Sequence, residues 1–429
     1  MDLDPIGVSN RLFYYTSGGE NSAFDACFRF DFTEELAPEL LRESASQALK
    51  SFPEFAIRPV IHEGTVWAMK NDAPVPLLPE GTSPVCYGTE ETGGYIFAFR
   101  PQEKGFDFSC FHGMSDFYGV WEFLRTVLCH YALAKGLAEQ ADDGIRLTPF
   151  SSMDRLEQLD PYRKFMTKCQ PGTKRSAAFA IPEKAYPPEE TDCTSYEILC
   201  PLKDFLAAAK AQNASVTAFL SLTTARAIST LYDVGQQPIV VMVPADMRPF
   251  FHTATAVNFS DATFLRYDAE LKSLPPEKQG AALKQQLRTQ MSPEHFAPLI
   301  AEKAAMADDF VHSGLDIFQW NERFAGPPLG PNTITVPLSY PGKLDLPPAY
   351  SPLLSGISNT LYYRGPGSFG IIGATYGDTM YIRSCQRFDS PAIMQGIRAK
   401  LEKAGLKADL HKLPPYRGNQ LITKKLLQI

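Results

Sequence analysis

Residues 169–193 read CQPGTKRSAAFAIPEKAYPPEETDC, rich in Pro, Lys and Glu and without a sustained apolar period. Such a stretch lacks the repeating anchors that seat a helix or strand in a core, so it reads as a linker or crossover. The chain must then fold around it as two units. Its 429 residues suit that division, because single cores stop growing beyond about 250–300 residues. The expected units are an N-terminal lobe over 1–170, a crossover over 171–193 and a C-terminal lobe over 194–429.

Periodicity predicts the elements of each half. SAFDACFRFDF alternates as a strand does, and TEELAPELLRESASQALKSF spaces Leu36, Leu40, Leu41 and Leu49 along one helical face, with Thr33 as N-cap and Pro53 as stop. EFAIRPVIHEGTVWAM is a hairpin turning at Glu63-Gly64, and two more strands follow in GGYIFAFRP and GFDFSCFH. The next helix spans 117–135, with Val120, Phe123, Leu124, Val127 and Leu128 on its apolar face. The second half restarts with the strand TSYEILCP, two helices (Ser215 capping the second), the buried strand PIVVMVP and the alternating TAVNFSDATFLRYD. Helices at 275–291 and 292–312, strands in NTLYYRG, SFGIIGATYG and TMYIRSCQRF, and a helix at 390–404 complete it. Hairpins and helices in mixed order predict α+β layers, not a regular β-α-β alternation.

Bulk properties exclude several functions. The net charge is −7 with the acids dispersed, which argues against a nucleic-acid or anionic-membrane surface, since phosphate binding needs clustered cations. No apolar run approaches the roughly 18–20 residues that cross a bilayer. MDLDPIGVSN lacks the basic start and apolar core of a signal peptide, and the eight cysteines form no C-x-x-C pair, so a reducing cytoplasm is expected. His62, His130, His295, His312 and His411 have no partners in metal-ligand spacing, and no metal site is expected. P-loop, dinucleotide and G-x-S-x-G signatures are absent. Phe numbers 29 against 3 Trp, which suits deep cores or an apolar tunnel.

One stretch carries chemistry: GFDFSCFHGMSDFYGVWEFLR, residues 105–125, places His112 and Asp116 where a strand pattern becomes a helix pattern. A neutral His at the end of a strand, followed by Gly113 in a tight turn, can take a proton from an attacking hydroxyl or amine near pH 7. A thioester is already activated, so acyl transfer from it needs a base, an oxyanion donor and little else. On residue types alone the bland readings stand beside this one: His112 as a capping or surface residue, Asp116 as an N-cap, and Arg248 as a turn residue paired with nearby Asp246.

CFHGMSDFYGVWEFL resembles the H-H-x-x-x-D-G loop of the chloramphenicol acetyltransferase-like superfamily, which includes BAHD acyltransferases, alcohol acetyltransferases and nonribosomal peptide synthetase condensation domains. His112 falls on the catalytic His and Asp116 on the Asp; Phe111 stands at the first His and Phe117 at the Gly, with Gly119 two residues on. VVMVPADMRPFFHTATAVNFSDATFLR is similar to the family's segment in which a strand ends near an Arg and an Asn-containing strand follows, here Arg248 and Asn258. The resemblance implies two mixed-sheet lobes forming a pseudo-dimer within one chain, with a tunnel between them. It implies an O- or N-acyltransferase with His112 as general base, Asp116 and Arg248 paired to hold its loop, and Gly113 leaving room for substrate. Phe111, Asn258 and His252 become candidates for the tunnel lining, and a Ser or Thr of the second lobe for the oxyanion donor. Acyl-CoA is the implied co-substrate, with no permanently bound cofactor and the chain acting as a monomer. Two alternatives remain: a freestanding condensation-type enzyme using an acyl-phosphopantetheine donor on a carrier protein, and a non-catalytic binding relative.

Overall fold

The computed structural model describes residues 3–82, 84–150, 152–168, 175–187, 192–325, 332–344, 346–348, 350–364 and 369–429. Strands β1 (Leu3–Pro5), β2 (Ala23–Phe32), β3 (Ile57–His62), β4 (Thr65–Lys70), β5 (Phe97–Gln102) and β6 (Gly105–Phe111) belong to the first half. After the crossover come β7 (Tyr196–Pro201), β8 (Ile239–Asp246), β9 (Ser260–Tyr267), β10 (Val336–Ser339), β11 (Leu354–Arg364), β12 (Phe369–Tyr376), β13 (Thr379–Gln386), β14 (Asp409–Lys412) and β15 (Leu427–Gln428).

The first lobe holds two four-stranded sheets, ordered β1-β4-β3-β15 and β11-β2-β6-β5. The second holds a seven-stranded mixed sheet, β14-β7-β13-β12-β10-β8-β9, in which β10 runs parallel to both β8 and β12. Two of the first lobe's strands come from far beyond residue 194. Strand β11 pairs antiparallel with β2, setting Tyr363 opposite Phe24, and β15 pairs parallel with β3. The lobes are therefore stitched together by exchanged strands as well as by the crossover. Residues 169–174 and 188–191 of that crossover lie outside the described residues; 175–187 contains neither helix nor strand.

Much of the aromatic content is consumed by the first core. Helices Pro38–Ser51 and Phe117–Ala134 pack beside β2, β5 and β6 through Phe52, Phe55, Phe97, Phe99, Phe108 and Phe123, all buried. Each such ring taken from water contributes about 1.5–3 kcal/mol. In the second core, helices Val216–Leu231 and Ala392–Lys403 cover the large sheet through Leu222, Ile228, Met394 and Ile397. A smaller cluster of Val8, Tyr162, Met247, Phe259, Phe296 and Ile300 joins helix Val8–Ser17 to the end of β8 and to helix Pro293–His312, at the junction of the lobes.

Most expected elements lie within a few residues of their expected bounds, and Ser215 caps its helix by accepting from the Ala218 N–H at 3.2 Å. The helix expected to begin at Thr33 begins at Pro38 instead. Ala37 is extended (φ −96°, ψ 98°), as the residue before a proline prefers. The Thr33 hydroxyl donates to the carbonyl of Pro352 at 3.0 Å, so it serves the β11 junction and not a helix end. Among the described residues no helix is long and apolar enough to cross a membrane.

Candidate active site

His112 follows directly on β6. Its N–H donates to the Phe24 carbonyl at 2.8 Å, which extends the β2–β6 ladder by one residue, and the Met114 N–H closes the turn onto the Phe111 carbonyl at 2.8 Å. Aromatic rings flank the imidazole: Phe13 is stacked at 4.6 Å between centroids and 25° between planes, and Phe24 lies tilted at 4.5 Å. Nδ1 is buried without a hydrogen-bond partner among the described residues. Burial lowers the imidazole pKa, because the charged form loses its hydration. The residue's own carbonyl opposes that shift more weakly, its geometry with Nδ1 falling short of a hydrogen bond. The Asp116 carboxylate opposes it as well, and Lys303, paired with Asp261 at 3.2 Å, adds a still smaller push in the lowering direction. His112 is thus a half-buried, neutral imidazole at the end of an inner strand of its sheet.

Asp116 holds the turn that carries it. The carboxylate is buried and accepts four hydrogen bonds: from Gly119 N (3.2 Å), which caps helix Phe117–Ala134, from Phe259 N (2.7 Å), and from Arg248 Nη2 (2.9 Å) and Nη1 (3.0 Å) as a bidentate pair. Both readings of Asp116 therefore apply at once. So do both readings of Arg248, whose Nη1 also donates to Asp246 at 2.8 Å. The remaining guanidinium N–H groups reach the carbonyls of Thr255 (2.7 Å) and Val257 (2.8 Å), so all five donors are used. Arg248 stays charged, since Asp116 and Asp246 outweigh its burial. One side chain of the second lobe thereby fixes the helix and turn of the first.

The other expected site residues fall in different places. The Asn258 side chain donates to the His112 carbonyl at 2.9 Å, clamping the residue's backbone from the second lobe. Phe111 points into the first core, edge-on to Tyr14 at 5.0 Å, and is fully buried. Gly113 was expected to leave room for substrate, but a Cβ there would fall 2.3 Å from the Phe111 ring, so the glycine accommodates Phe111. His252 is exposed and left-handed (φ 51°) at the end of the short helix Arg248–Phe251, with no hydrogen bond to the His112 loop. Phe117 packs on Trp121 and Phe28, while the close approach falls to Gly119, where a Cβ would sit 1.9 Å from the Ala256 carbonyl oxygen.

Sequence reading missed helix Val8–Ser17 and with it Asn10, whose amide donates to the carbonyls of Gly113 and Met114, both at 2.8 Å. It also missed Phe13 and Phe24. Asn is a poor helix former, and a buried one inside a helix is a signal of a tertiary duty.

No family model matches this sequence, and no curated protein matches it. Solved structures do resemble the fold. TRI101 from F. sporotrichioides, complexed with coenzyme A and T-2, is 13% identical with a TM-score of 0.60, the alignment covering 96% of this chain and all of that one. Polyketide synthase associated protein 5 from Mycobacterium tuberculosis is 13% identical with a TM-score of 0.59, covering 93% and 98%. A starter condensation domain of rhizomide synthetase, in complex with C8-CoA, is 12% identical with a TM-score of 0.56, covering 94% and 95%. Over 93–96% of its length, then, this chain shares the two-lobed fold of these solved structures.

Proposed function

We propose that the chain is an acyltransferase that moves an acyl group from a thioester, acyl-CoA, to a hydroxyl or amine, with His112 as general base. The observation that carries this reading is the state of His112: a neutral imidazole wedged between two rings, on a turn clamped by Asn10, Asp116, Arg248 and Asn258. A residue that merely capped a helix would not need four separate restraints on its loop.

In this reading Nε2 takes the acceptor's proton as the acceptor attacks the thioester carbonyl. The proton then passes to the departing thiolate, so the base is regenerated and no covalent enzyme intermediate forms. Burial keeps His112 unprotonated and ready at neutral pH. Asp116 acts at one remove, as a positioning residue. The similarity to structures holding coenzyme A or C8-CoA supports a CoA thioester as donor, and the similarity to a condensation domain keeps a carrier-bound acyl-phosphopantetheine as the second reading.

The test is free-thiol release from acetyl-CoA and longer acyl-CoAs against a panel of alcohols and amines, with wild type beside His112→Ala. Acceptor-dependent release that the variant loses is the expected result. Equal release from both proteins would remove His112 as the base. Absence of release with free CoA donors, but release with an acyl-carrier protein, would select the second reading.

A further inference from the structure

Side chains from three neighbouring strands form a row on one sheet face: His112 after β6, Phe24 on β2 and Tyr363 on β11. Phe24 is the middle member, 4.5 Å from the His112 ring and 5.0 Å from the Tyr363 ring. Two strand spacings of about 4.8 Å put the outer pair roughly 10 Å apart. Further along the same face the residues are buried: Phe28 and Phe30 on β2, Phe108 on β6 and Ile357 on β11. At the His112 end the face opens, and Phe24, Ala26, Leu361 and Tyr363 are only half-buried, as is Phe13 above the imidazole. The accessible surface beside the imidazole is thus an apolar strip with one hydroxyl at its far side. Among the described residues no side chain or backbone group hydrogen-bonds the hydroxyl of the half-buried Tyr363, which leaves it available at the open end of the strip.

We infer that this strip is the acceptor subsite: it takes a flat, apolar alcohol or amine that lies over Phe24 with its nucleophile at His112 and a second hydrogen-bonding group at the Tyr363 hydroxyl. The inference rests on the acyl-transfer reading for its orientation. It adds Phe24, Leu361 and Tyr363 as specificity-determining residues and names the acceptor's shape: planar, apolar in the middle, polar at both ends. A small aliphatic alcohol would reach His112 but leave the strip uncovered. A highly hydroxylated sugar would press unpaired hydroxyls onto Phe24 and Leu361, at the cost of their hydration.

The probes are naphthalene-2-methanol and its 6-hydroxy analogue, a rigid pair differing only in the distal group. Binding to the full chain is measured by titration calorimetry, and thiol release from acetyl-CoA is measured separately. Wild type should bind both, preferring the 6-hydroxy compound by about fivefold, the value of one neutral hydrogen bond. Tyr363→Phe should bind both equally, and Leu361→Arg should bind neither. Failure of wild type to bind either compound, a preference that survives Tyr363→Phe, or full binding by Leu361→Arg would each overturn the subsite. Binding with this pattern but no thiol release from any acyl-CoA or acyl-carrier protein would leave the subsite and remove the acyl-transfer reading. Thiol release with ethanol but no naphthyl binding would do the reverse.

Discussion

The Asp116–Arg248 pair allows the sharpest quantitative prediction. Asp116→Asn keeps the shape of the side chain and one acceptor oxygen, but turns the other oxygen into an amide NH2. The carboxylate now accepts from two nitrogens of the Arg248 guanidinium and from two backbone N–H groups at 2.7–3.2 Å. In the variant the new NH2 faces donors, and Arg248 loses half of its counter-charge in a site where its side chain is only 11% exposed. Removing one partner of a buried pair costs about 3–5 kcal/mol. Asp246 still faces Arg248 at 2.8 Å, which places the expectation at the lower end, about 3 kcal/mol. Urea unfolding followed by tryptophan fluorescence measures the loss, and Arg248→Gln and the double variant complete a cycle. The expected coupling is about 2 kcal/mol. A single-variant loss below about 1 kcal/mol, or two losses that add within about 0.5 kcal/mol, would refute the claim that this pair joins the lobes.

Three further outcomes follow from the same geometry. With its pKa lowered by burial, His112 is protonated only below that depressed value, so the rate of the proposed transfer should rise with pH and be level by pH 7. The same shift makes the native state lose stability as pH falls below the unfolded His pKa of about 6.5; a pH–rate limb at or above the ordinary value would contradict the burial argument. Asn10→Ala frees the carbonyls of Gly113 and Met114 and should cost about 2 kcal/mol, with kcat falling more than KM because the loop, not the substrate, is released. Gly119→Ala drives a methyl into the Ala256 carbonyl and Ser115 Oγ, 1.9 and 2.2 Å from the ideal Cβ, and should cost about 3 kcal/mol in urea unfolding.

Local order was legible where the chain states it locally. Alternation in SAFDACFRFDF gives β2 because its even-numbered residues Phe28, Phe30 and Phe32 face the core while Arg29 faces water. The Glu63-Gly64 turn is visible because both residues adopt positive φ (49° and 72°), a conformation that a two-residue hairpin demands. The spacing of His112 and Asp116 was legible for the same reason, as a strand end and a helix cap four residues apart. Helix Val8–Ser17 was not. It carries Arg11, Thr16 and two Tyr residues, has no side-chain cap, and owes its place to packing by Tyr14 and Tyr15 and not to its own propensity.

What no local pattern states is which strands share a sheet. NTLYYRG reads as a strand of the second half, yet β11 is laid beside β2, and only that pairing brings Tyr363 to Phe24 and so to the neighbourhood of His112. The same exchange bears on how the site could have been assembled. The proposed base follows β6, the clamps on its turn come from Asn10, Arg248 and Asn258, and the ring beyond Phe24 comes from residue 363, so no contiguous segment contains more than a fragment of the candidate site. A domain cut at the crossover would remove Arg248, Asn258 and β11 together. The first lobe would then have a β2 edge without its partner strand and an Asp116 carboxylate without its counter-charge, both costly exposures. The two halves are therefore units of sequence but not of stability, and the candidate site exists only where they are joined.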